Sequence, residues 1–171
     1  MMNRDHAPVA VRFAGAAALA GLSLFGCGRA ATPADQAAAV ETTKCSGAID
    51  EEALAPVLTG GAIERVQPLY SKVSMRDSNG YATLDGAAIT VRPLPGMTAE
   101  SLQRALECHS ARGTLGQVSS STSDPFVLSS TTVDIQVSSE GDAFRVGVGA
   151  PRSEEAHEIL DRATQLMATS R

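Results

Sequence analysis

Residues 133–149, VDIQVSSEGDAFRVGVG, alternate apolar and polar side chains on either side of a turn. In an extended chain Val133, Ile135 and Val137 share one side while Asp134, Gln136 and Ser138 share the other. That is the two-residue period of a half-buried strand. Glu140-Gly141-Asp142 makes the turn, and Phe144, Val146 and Val148 return along a second strand, so the segment predicts a β-hairpin.

Beyond the hairpin, Pro151 and Ser153 introduce a helix. Its Ala156, Ile159, Leu160, Ala163, Leu166 and Met167 recur at helical spacing and form a continuous apolar face. Ahead of the hairpin, residues 114–132 read as a long polar loop with a Ser/Thr run at 119–123 and Asp124-Pro125. Such length without secondary structure is uncommon unless the loop is mobile or functional. A well-marked helix precedes it. Thr98 is a good N-cap, Glu100 sits in the first turn, and Met97 can staple onto Leu102. Leu102, Ala105, Leu106 and His109 form one stripe, and Gly113 is positioned to end the helix.

Further upstream, Asn79-Gly80 and Asp85-Gly86 are tight-turn dipeptides. They predict short strands near 71–76, 81–84 and 87–92, closed by Pro93-Leu94-Pro95-Gly96. Residues 62–70 fit either a short helix or an extended segment, and Pro68 argues against a long helix. A helix capped by Asp50 carries Glu51 and Glu52 in its first turn and Pro56 within it, and stops at Gly60-Gly61.

The elements describe a small α+β fold, an antiparallel sheet with two amphipathic helices on one face. A split βαβ sheet of ferredoxin type needs one more strand beside the first. The segment 81–84 can supply it from the front of the chain, giving a permuted ferredoxin-like sandwich. An unrelated α+β arrangement of the same elements is the alternative.

The first residues tell a different story. Arg4 and Arg12 precede an uncharged apolar run, Phe13 to Phe25, of 13 residues. A permanent membrane span needs about 18 or more. A basic start with a short apolar stretch is the layout of a secretory leader. It ends Leu24-Phe25-Gly26-Cys27, which resembles the lipobox of bacterial lipoproteins; Phe25 departs from the pattern, where a smaller residue is usual. The resemblance implies cleavage after Gly26 and acylation of Cys27. Gly28 stands where an Asp would signal inner-membrane retention, so the expected address is the periplasmic face of the outer membrane. An ordinary secretory leader is the alternative. Residues 28–44 carry almost no large apolar side chain and read as a flexible tether, with the folded domain at 45–171.

The run 89–116, ITVRPLPGMTAESLQRALECHSARGTLG, is similar to segments of uncharacterised secreted proteins of Gram-negative, especially myxobacterial, bacteria. No activity is implied by that likeness.

The whole chain carries a net charge of −5, and losing Arg4, Arg12 and Asp5 with the leader makes it −6. An acidic surface offers no electrostatic reason to bind nucleic acid. Trp is absent and aromatics are 4% of residues, which weakens any stacking platform for sugars or bases. With Cys27 committed to lipid, Cys45 and Cys108 remain, and an oxidising compartment favours a disulfide between them over two free thiols.

Cys108-His109 is the pair that invites chemistry, as a nucleophile or a ligand. Neighbours on a helix point about 100° apart, and His109 lies on the apolar stripe, so a disulfide cysteine beside a structural histidine is the simpler reading. Cys45, Cys108, His109 and His157 lack the short paired spacings of a zinc site. His157 sits among Glu154, Glu158 and Asp161 on a solvated face. Asp77, Asn79 and Asp85 lack the distal acid of a calcium loop, and Gly147-Val148-Gly149 lacks the third glycine of a phosphate loop. The sequence thus assigns no catalytic residue, metal or cofactor. Its expectation is a lipid-anchored accessory protein with an envelope protein partner. A small-ligand or metal module and a small hydrolase are the alternatives.

Overall fold

The computed structural model describes residues 30–46, 51–71 and 82–170. Among these residues eight elements run in the order α1 (Pro33–Lys44), α2 (Glu51–Leu58), β1 (Ile63–Tyr70), β2 (Leu84–Val91), α3 (Ala99–Thr114), β3 (Asp134–Glu140), β4 (Ala143–Gly149) and α4 (Ser153–Thr169). The strands form one antiparallel sheet in the order β1-β2-β4-β3.

The α+β reading stands. β2-α3-β3 is a split βαβ unit with β4 between its strands, and the extra strand lies beside β2. That strand is β1, however, and not 81–84. Pro68 is compatible with it because β1 is an edge strand among the described residues, where no outer strand needs the missing N–H.

Asp85-Gly86, expected as a turn, lies inside β2. The pairing of β1 with β2 slips here, from Leu69↔Gly86 to Tyr70↔Leu84, which leaves Asp85 as the extra residue of a bulge. Gly86 has φ 150°, and a Cβ on it would stand 2.1 Å from the Val148 carbonyl oxygen. The dipeptide therefore answers to the bulge and to close strand packing. The expected strand 71–76 and the Asn79-Gly80 turn fall almost wholly in 72–81, outside the described residues.

The tether expected at 28–44 is also corrected. Residues 33–44 are α1, opened by Pro33 and by a capping box in which Thr32 and Asp35 exchange hydrogen bonds. Gln36, Ala37, Glu41 and Lys44 contact the rest of the fold, as described below. Residues 28 and 29 lie outside the described residues.

One face of the sheet is packed. Ile89 and Val91 of β2, Ile135 of β3, and Phe144, Val146 and Val148 of β4 meet Leu102 and Leu106 of α3 and Ile159, Ala163 and Leu166 of α4. Leu54 and Val57 of α2 join the same core. α3 begins at the expected cap, with Thr98 and Ser101 forming the capping box, but it continues through Gly113 to Thr114. Gly113 is instead a packing position, because a Cβ there would meet both Val127 methyl carbons at 2.4 and 2.7 Å.

Val127 belongs to the segment expected as a polar loop. Its stretch 124–128 is buried, with Phe126 and Leu128 in the core. The outer edge of the sheet at β3 is blunted as well. The Val137 N–H, pointing away from β4, is taken by the Gln103 side-chain oxygen at 3.1 Å.

Candidate functional site

Cys45, at the C-cap of α1, is bonded to Cys108 in α3, and both cysteines are buried. The bond consumes the Cys108 thiol, so Cys108 can act neither as a nucleophile nor as a metal ligand in this state. His109 does not share a site with it. Its Nε2 lies 2.8 Å from Asp124 Oδ2, with both side chains buried. Asp124 Oδ1 accepts the Phe126 N–H at 2.9 Å. Arg162 of α4 donates to the Asp124 and Val127 carbonyls at 3.1 and 2.8 Å. His109, Asp124 and Arg162 thus satisfy the polar groups of a buried irregular segment and pin it between α3 and α4. The tempting Cys-His pair is therefore a staple and a loop anchor.

His157 is exposed, with Nδ1 2.7 Å from the Ser153 carbonyl of its own helix, as a solvated face implies. Among the described residues no three His, Cys, Asp or Glu side chains converge as metal ligands do.

Nothing in the residue pattern marks the buried carboxylate at the start of α4. Glu155 is buried, and its Oε1 accepts from the Arg152 guanidinium and from Ser130 at 3.1 Å. The Arg152 hydrogen bond holds the carboxyl below the ordinary carboxylate range; desolvation opposes this, while Ser130 adds to it. A depressed folded pKa gives stability that is fully present above the unfolded value and lost as pH falls through the folded one. Glu155→Gln is therefore expected to flatten the fall in melting temperature below about pH 4.5, leaving its neutral-pH slope unchanged. Thermal melts from pH 3 to 7 measure this. An acid limb of unaltered steepness would remove Glu155 from that role.

The second feature is the other face of the sheet. Strand alternation turns Leu69, Gly86, Gly149 and Asp134 onto it as one row across the four strands, and Gln67, Ala88, Gly147 and Gln136 as the next. Arg65, Thr90, Arg145 and Ser138 make a third. The two central strands carry nothing larger than a methyl group in the first two rows. The result is a trough of about 910 Å³ with Gly147 and Gly149 in its floor. Leu69 and Tyr70 line one side, Asp134 and Gln136 the other, with Asp85, Thr131 and Thr132 at one end and Arg145 towards the opposite one. Tyr70 is 53% exposed and stands out as the exposed large hydrophobic among the described residues.

No protein-family model matches the chain, and no curated protein or solved structure does. Among the described residues no helix is long and apolar enough to cross a membrane.

Proposed function

We propose that this chain is a membrane-anchored accessory lipoprotein of the bacterial envelope. In this reading Cys27 carries the lipid, the periplasmic face of the outer membrane is the address, and the folded unit engages an envelope protein through the open face of its sheet. The observation that carries the binding role is the trough. It joins an exposed aromatic ring, apolar Leu69 and a mixed polar rim on a face opposite the packed core. A concave face with an exposed aromatic ring and a few polar groups at its rim is a shape that binding sites share. The Cys45–Cys108 bond supports export, since disulfides persist in oxidising compartments.

The test is photocrosslinking in intact cells. A crosslinking residue at Gln136 or Arg145 is expected to capture one and the same envelope protein, and one at Asp161 on the exposed face of α4 is expected to capture none. Adducts of equal yield from all three positions, or from none, contradict the reading.

A floor substitution separates binding from folding. A Cβ at Gly147 would sit 3.6 Å from Leu69 Cδ2 and 3.7 Å from the Gln136 carbonyl oxygen, ordinary contact distances. Gly147→Thr, a residue suited to strands, is expected to leave the melting temperature within a few degrees of the parent and to cut adduct yield at Gln136 at least tenfold. Unchanged yield at Gln136 with the fold intact would show that the floor is not contacted.

The volume of the trough favours a second reading in the same place. Small-molecule sites commonly measure about 300–1,000 Å³. A ligand seen by native mass spectrometry and lost in Gly147→Thr would make the chain a small-ligand carrier instead.

A further inference from the structure

α1 is held to the fold in an unusual way. Its sequence, PADQAAAVETTK, has no apolar stripe, and Ala37 is its only buried residue. An amphipathic face is what ordinarily docks a surface helix. Here the attachments are polar or covalent. Lys44 Nζ pairs with Glu107 at 2.7 Å, Arg112 Nε with Glu41 at 3.2 Å, and Thr132 Oγ1 donates to the Gln36 side-chain oxygen at 2.6 Å. The Lys44 side chain is half exposed, and an ion pair open to solvent contributes little, while Arg112 and Glu41 are partly buried. Packing beneath the helix is also incomplete. A cleft of about 170 Å³ opens between Ala37 and Val40 on α1, Ser110 and Ala111 on α3, and Ile135 on β3. A 12-residue helix is marginal in water when nothing packs against it. A covalent attachment is added by the Cys45–Cys108 bond at the last turn of α1.

We propose that the Cys45–Cys108 disulfide is a clasp whose formation docks α1 onto α3 and whose reduction releases α1 while the rest of the fold stays intact. Closing the clasp oxidises the two thiols by thiol–disulfide exchange. An oxidised dithiol carrier of the envelope takes up the two electrons and two protons and leaves as its own dithiol. Opening is the reverse, driven by a reduced dithiol. Both cysteines are buried, so the incoming thiolate reaches Cys45 when the last turn of α1 frays.

The consequence for the anchor rests on the reading of Cys27 as the lipidated residue. With α1 docked, residues 28–32 alone separate the anchor from the fold, a span of at most about 20 Å at full extension. With α1 released, the separating chain runs from 28 to the start of α2 at Glu51, at most about 80 Å. Oxidation state thereby sets how far the trough can stand from the membrane. It also decides whether Gln36 of α1 lines the trough end beside Thr132.

Hydrogen–deuterium exchange on the full-length gene product, purified from membranes as the cell processes it, tests the clasp. On adding dithiothreitol, amides of 36–44 are expected to exchange at least tenfold faster, while those of β2, β4 and α4 keep their protection. A Cys45→Ser/Cys108→Ser double variant is expected to show the same pattern without reductant. Unchanged protection in α1 after the bond is reduced overturns the proposal. So does a loss spread evenly over α1 and the sheet, which would make the bond a general staple. In vesicles, energy transfer from a dye on α4 to headgroup acceptors is expected to fall on reduction. Constant transfer with α1 released overturns the leash, whereas protein that never joins the vesicles rejects the anchor reading and leaves the clasp standing.

Discussion

Phe126→Ala is expected to destabilise the fold by about 3–5 kcal/mol, the range for emptying a fully buried aromatic position. In a chain of this size that lowers the melting temperature by about 10 °C. Phe126 is fully buried although it sits in an irregular segment. Its backbone N–H is held by Asp124, which His109 fixes in turn, and Arg162 ties the flanking carbonyls to α4. Residues 124–128 therefore serve as a core element without regular structure, and removing the ring leaves a void between α3 and α4. Calorimetry on parent and variant measures the difference. A change below about 1 kcal/mol would mean that the segment is not part of the core.

Breaking the Cys45–Cys108 bond has the second large effect. The cysteines are 63 residues apart, and closing a loop of that size restricts the unfolded chain by up to about 4 kcal/mol at room temperature. Urea unfolding of the Cys45→Ser/Cys108→Ser variant is expected to show a loss approaching that value. Freeing α1 returns part of its ordering entropy and so reduces the net cost. A loss near zero would show that the bond closes no loop that matters to the unfolded ensemble.

The legible parts of the fold were those whose side chains keep a strict period. Val133 to Val148 and the stripes on α3 and α4 landed where alternation and helical spacing put them. α1 was missed because a helix docked by a disulfide and charges has no apolar stripe to read. The β2 boundary was missed because Asp85-Gly86 meets the steric need of a bulge with the same residues that serve a hairpin turn. Loop composition hid Phe126, Val127 and Leu128 among Ser and Thr, although Asp124-Pro125 before three large apolar residues was a readable sign of a pinned segment.

For the candidate site, the disulfide followed from cysteine parity. The trough did not, because Gly147 and Gly149 in its floor, and Gly86 and Ala88 paired with them, are residues that leave no pattern. They meet only through the pairing of β2 with β4, strands that are not consecutive in the chain.

Intact-mass spectrometry of the protein purified from membranes tests the proposed lipid anchor and the Cys45–Cys108 bond together. The expected product is a chain beginning at Cys27, bearing acyl chains on that residue and lighter by two hydrogens than its reduced form. A soluble, unacylated product with Cys45 and Cys108 as free thiols would contradict it.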